Sequence, residues 1–139
     1  MEGKLNKQLE ILKNSVIKED FIDIAYDVTE EIESYENAFD AIEPILKLVE
    51  QNPEVDFGSP GPLVHFVEQF HGNFYEEKLV QSIQRYPTSH TLWMLNRIIN
   101  GSQGEQKKYY LNVLQNVLNS PNVSNQVSSL AKEFLSLHS

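Results

Sequence analysis

Ile45-Leu46-Lys47-Leu48-Val49-Glu50-Gln51-Asn52-Pro53 is the stretch that decides the fold, because its pattern returns twice at intervals of 34 residues. Leu79-Val80-Gln81-Ser82-Ile83-Gln84-Arg85-Tyr86-Pro87 is the second copy and Val113-Leu114-Gln115-Asn116-Val117-Leu118-Asn119-Ser120-Pro121 the third. In each, apolar residues stand eight, seven and four positions ahead of the proline: Ile45, Leu46 and Val49; Leu79, Val80 and Ile83; Val113, Leu114 and Val117. Those spacings fall on one helical face. Proline ends the helix because it has no N–H to donate and because it pushes the preceding residue out of the helical region. One step further back the pattern continues as Ile11 and Leu12, with no proline to close it. A period of this length with a helix stop in each copy marks stacked helical hairpins. Such stacks are more often surfaces for macromolecules than pockets for chemistry.

Working outward, the apolar periodicity predicts eight helices in four pairs. The first covers Lys4 to Val16, with Leu5, Leu9, Leu12 and Val16 as its stripe. The second runs from Glu19 to Ser34: Phe21, Ile24, Ala25, Val28 and Ile32 turn inward, while Asp20, Asp23, Asp27, Glu30 and Glu31 turn away. The third, Ala38 to Gln51, contains Pro44, so it either kinks there or starts near Glu43. Glu54 to Pro62 is a long loop; from the closing proline to the next leucine there are ten residues, against five after Pro87. This insertion of about five residues is the kind of loop that carries function in many folds. The fourth helix opens on Pro62 and runs to Phe70, with Leu63, Phe66, Val67 and Phe70 inward, and His71-Gly72-Asn73 is a turn. The fifth is Tyr75 to Arg85; the sixth is capped by Thr88 or Ser89 and ends at Ile99. The seventh spans Glu105 to Asn119. The eighth follows Pro121 and ends at Leu137, with Val123, Val127, Leu130, Phe134 and Leu137 on one face.

The second helices align as well: Leu63, Phe66 and Phe70 match Leu92, Leu95 and Ile99, then Val127, Leu130 and Phe134. The period first suggests tetratricopeptide repeats. Their small-residue positions would fall here on Leu63, Tyr75, Arg97 and Tyr109, all large. The proline also closes the first helix of each pair, an order closer to HEAT or armadillo pairs. The expected fold is therefore all-α, a HEAT-like α-solenoid of four antiparallel hairpins forming one domain over residues 1–139.

The formal charge is −9, unevenly placed. Glu19 to Asp56 holds 13 acidic residues and one basic residue, Lys47, while the rest holds 7 acids and 10 bases. An acidic field repels phosphate backbones and attracts basic proteins, so direct nucleic-acid binding is not expected. The bland alternative is a solvated helix face that keeps the protein in solution. With no cysteine, disulfides, thiolate metal sites and cysteine nucleophiles are excluded. The polar start Met-Glu-Gly-Lys-Leu-Asn-Lys-Gln has no apolar run behind it, and no stretch nears the roughly 20 apolar residues of a membrane span. A cytoplasmic protein without membrane contact is the expectation.

No constellation announces chemistry. His65, His71, His90 and His138 form no zinc spacing, and there is no phosphate-binding glycine loop and no nucleophile elbow. No metal, cofactor or catalytic residue is expected. The second-helix carboxylates could in principle act as an acid/base pair, with Asp23 and Asp27 as the residues to test; at this spacing such acids more often face solvent or a partner. Trp93, the one tryptophan, lies beside the Leu92/Leu95 stripe, as a core or rim residue or as an aromatic anchor for a partner. His65 and Glu68 are one turn apart on the fourth helix, and Arg97 is one turn after Trp93. If the second, fourth and sixth helices line one face, the acids, His65, Glu68, Trp93 and Arg97 share it; Arg97 could equally pair with Glu68. Of Tyr109 and Tyr110, one is expected to pack and one to be exposed.

Leu63-Val64-His65-Phe66-Val67-Glu68 and Leu92-Trp93-Met94-Leu95-Asn96-Arg97-Ile98-Ile99-Asn100, with the Tyr75-to-Leu79 stretch between them, resemble small helical immunity proteins of bacterial polymorphic-toxin systems. The likeness is to the immunity protein 30 family, over roughly residues 38 to 118. The resemblance implies a non-enzymatic antidote to a secreted toxin, of the kind deployed in contact-dependent inhibition, that binds its cognate toxin domain in the cytosol. It carries over no toxin class and no oligomeric state. If the toxin is a nuclease, its phosphate-holding groove is basic, and the acidic helix could occupy it as a mimic. Two other readings stay open: a HEAT-like scaffold for a basic protein or peptide, and an enzyme using the second-helix carboxylates.

Overall fold

A computed structural model describes residues 2–58, 60–121 and 123–138. It is all-α: among the described residues there are eight α-helices and no strand. The helices are α1 (Glu2–Ser15), α2 (Phe21–Glu33), α3 (Ile42–Gln51), α4 (Pro62–Glu68), α5 (Tyr75–Arg85), α6 (Ser89–Asn100), α7 (Gly104–Leu118) and α8 (Asn125–Leu137). Helix boundaries follow local chemistry. Pro44 is the third residue of α3, where a missing N–H costs nothing, and a 3-10 turn at Ala38–Ala41 leads into it. The start near Glu43 is therefore realised, and no kink is needed. Asn52 leaves the helical region at φ −133°, ending α3 ahead of Pro53. Thr88 caps α6 through a reciprocal box with Thr91, each side chain engaging the other's backbone N–H at 3.1 Å.

The chain divides into two units, Met1–Tyr75 and Glu76–Ser139. In the first, α1 packs on α2 and α3, and α2 lies beside α4. In the second, α7 packs on α8, and α6 adjoins both. Within the first unit α2 neighbours α4, and within the second α6 neighbours α8. The nine residues of the proline register, Ile45, Leu46, Val49, Leu79, Val80, Ile83, Val113, Leu114 and Val117, are all buried. A buried branched side chain contributes about 1.5–3 kcal/mol relative to an exposed one, so this register holds much of the stability.

Four expectations change. Ile11 is 44% exposed, while Leu12 and Ser15 are buried in its place. Ser15 is tolerated there because its hydroxyl donates to the Ile11 carbonyl oxygen. Helix α8 starts at Asn125 because the Ser124 hydroxyl accepts from the Val127 N–H at 3.2 Å, so Val123 precedes the helix instead of joining its stripe. Leu137 is 67% exposed; the adjacent His138 turns toward α6 and leaves it outside. Phe70 follows the end of α4 and is half-buried, edge-on to Phe66 and Phe39.

The insertion is a built loop, although Ser59 lies outside the described residues. Phe57 is buried to 1% exposure, with its ring 5.8 Å from Phe21 in an edge-to-face contact. Two glycines make the approach possible. Gly58 and Gly61 have φ of +103° and +89°, and a Cβ on Gly61 would stand 1.8 Å from the Phe57 carbonyl oxygen. Asp56 Oδ1 accepts from the Gly58 N–H at 2.9 Å and sets the turn.

Candidate functional site

The acidic surface is a consequence of how α2 is buried. Phe21, Ala25, Val28, Thr29 and Ile32 face the core, and Thr29 satisfies its hydroxyl on the Ala25 carbonyl oxygen at 2.9 Å. With 3.6 residues per turn, the opposite side receives Asp23, Asp27, Glu30 and Glu31. All four are exposed, as is Asp20, which precedes the helix and makes no side-chain capping bond. Asp20 and Asp23 sit at the N-terminal end, where the helix dipole favours negative charge. Their carboxylates are thus available to a partner and cost the helix little.

One member of this surface had no clear signal in the sequence. Tyr26 is 48% exposed and stands between Asp23, Asp27 and Glu30 on the same side of α2. It supplies a flat apolar face inside a field of carboxylates, the composition that lets an acidic surface grip as well as attract. At the other end of α2, Tyr35 is half-buried, and its phenol is pushed above its usual value of 10, first by burial and then by a hydrogen bond to Glu31.

Helix α4 extends the surface. Gln69 donates a side-chain hydrogen bond to Glu33 of α2, fixing the border between the helices. His65 lies one turn before Gln69 on that strip and is exposed; Glu68 is half-buried beside it. The first unit therefore brings together seven expected residues, Asp20, Asp23, Asp27, Glu30, Glu31, His65 and Glu68, on two adjoining helices.

Trp93 and Arg97 belong to the second unit, one turn apart on α6. Trp93 is 53% exposed, yet its ring is held edge-on to buried Phe134 at 4.9 Å. It is neither a core residue nor a loose surface one. Of the tyrosine pair, Tyr110 packs and Tyr109 is exposed, as expected. Burial, together with the nearby Glu76 carboxylate, holds the Tyr110 phenol above 10.

Among the described residues, no group of three or more His, Asp or Glu side chains is arranged to hold a metal ion. No helix of the described residues is long and apolar enough to cross a membrane. A groove of about 450 Å³ between α1 and α3 has an apolar floor of Leu9, Leu12, Ile45 and Leu48 and includes none of the acids of α2. What the α2–α4 surface can do chemically is present fixed negative charge, one aromatic face and one imidazole to a macromolecule. No family model, curated protein or solved structure matches the chain.

Proposed function

We propose that the protein is an immunity protein that binds a cognate secreted bacterial toxin domain in the cytoplasm and neutralises it without catalysis. The observation that carries this reading is the exposed carboxylate row of α2, Asp20, Asp23, Asp27, Glu30 and Glu31, built around Tyr26. The partner that fits is a protein surface rich in Lys and Arg, such as the phosphate-binding groove of a nuclease. Opposite fields raise the encounter rate, and an antidote must arrive before its toxin acts. The resemblance over residues 38–118 and the stacking of second helices support the same reading, with HEAT-like repeats as the scaffold.

The test begins with the gene upstream, where this reading expects a long open reading frame with a variable C-terminal domain, and proceeds by co-expression with that domain. Growth should be rescued, and the two proteins should purify together. Replacing Asp20, Asp23 and Asp27 by lysine should lower affinity about 100-fold and abolish rescue. Binding that withstands both high salt and this reversal would sink the acidic-mimic mechanism. No binding and no rescue by the unaltered protein would sink the immunity role and favour the alternative, a scaffold for another basic protein or peptide.

A further inference from the structure

A second feature belongs to the second unit. Ser89 and Trp93 are one turn apart on α6; Gln126, Ser129, Leu130 and Glu133 follow helical spacing along one side of α8. Together they line an open hollow of about 350 Å³. The indole of Trp93 is its anchor, fixed by the edge-to-face contact with Phe134, which is itself 1% exposed. Leu130 is half-buried and supplies an apolar wall. Glu133 is exposed and is the only charged residue in the lining; no Lys, Arg or His enters it.

We propose that this hollow receives an arginine side chain presented by a protein partner. Each property of the lining selects a property of that side chain. The indole face attracts a cation, and a guanidinium can stack on it flat while an ammonium cannot. The carboxylate of Glu133 matches the two-pronged N–H geometry of the guanidinium. Leu130 covers the aliphatic stem. The oxygens of Ser129 and Gln126 accept from the N–H groups that remain. An anion would be repelled by Glu133, and a purely apolar group would leave its charge unmatched. The site does not depend on the acidic surface of α2, and it names a second point of recognition on a unit that is not itself acidic.

Trp93 is the only tryptophan, so its emission reports this hollow alone. The probes are the capped peptide Gly-Gly-Arg-Gly-Gly and its citrulline counterpart, which keeps the shape and removes the charge, titrated at matched ionic strength. The arginine peptide should give a saturable change in emission, with affinity roughly fivefold or more above that of the citrulline peptide. Glu133→Gln should weaken the arginine peptide roughly 2–5-fold and leave the citrulline peptide unchanged. Glu105→Gln removes an equal charge from exposed α7 and should change neither. Equal affinity for the two peptides, equal weakening by the two substitutions, or no saturable change would each overturn the proposal. No toxin is present and α2 is untouched, so failure here is distinct from failure of neutralisation.

Discussion

Phe57 shows what a single residue contributes when the local pattern says nothing about it. It sits in an irregular loop, yet it is as buried as the helix stripes and meets Phe21 at the start of α2. The insertion therefore acts first as a brace for the helix that carries the acids. Phe57→Ala removes a large buried ring from a site that the glycine turn prevents from collapsing, and should destabilise the protein by about 3–5 kcal/mol in urea unfolding. Because Phe21 loses its ring partner, the loss should also loosen the first turn of α2, read as faster amide exchange there than in α6. A cost below about 1 kcal/mol would show that the loop is merely laid over the core. Tyr26 is the opposite case, an aromatic residue left in water. Position alone could not settle it, since an aromatic one residue after Ala25 reads equally as the edge of the buried stripe.

At the scale of elements, α8 is tied to α6 through its C-cap. His138 Nε2 lies 2.7 Å from Asn96 Oδ1, so the imidazole donates to a side chain that is itself 8% exposed. Burial, and then the positive charge of Lys107, holds the His138 pKa below its usual 6.5. The folded protein thus prefers the neutral ring, and the unfolded chain takes up a proton first as pH falls. This contribution is fully present above pH 6.5 and is lost as pH falls below it toward the lowered folded value. The urea midpoint should drop between pH 7 and pH 5.5, and His138→Gln should shrink that drop; an equal drop in both proteins would place the sensitivity elsewhere. Elements of this kind divide cleanly into legible and illegible parts. The Pro53, Pro87 and Pro121 stops could be read, and the cap of α6 narrowed to Thr88 or Ser89, because helix ends are set by neighbours in sequence. The acid row of α2 could be read because one period places buried and exposed residues together. The clasp of His138 on Asn96 could not, being a contact 42 residues apart that no periodicity encodes. Glu133 gave no signal for the same reason: it lines a hollow together with Trp93, which stands on another helix.

For the whole molecule, the division into units coincides with a division of charge. Met1–Tyr75 holds 16 acidic and 5 basic residues, and Glu76–Ser139 holds 4 and 6. A net charge of −9 therefore understates the field of the first unit and hides a mildly positive second unit. This asymmetry orients encounter as well as speeding it. A basic partner of the kind proposed, drawn in by long-range attraction, would arrive at the first unit, where α2 presents its carboxylates, before short-range contacts decide whether it stays. Screening acts on the first step more than on the second, because the Debye length falls from about 30 Å at 0.01 M salt to about 8 Å at physiological ionic strength. If the proposed function holds, the association rate with the cognate toxin domain should consequently fall at least about tenfold over that range, while the dissociation rate changes little. Reversing Asp20, Asp23 and Asp27 to lysine should flatten this salt slope. Reversing Lys107, Lys108 and Lys132 to glutamate, the same number of charges in the second unit, should leave the slope in place and the rate within about twofold of the unaltered protein, a difference that stopped-flow mixing at several salt concentrations resolves. Rate changes of equal size and opposite direction in the two reversals would mean that only the summed charge matters and that the uneven distribution along the chain has no part in recognition.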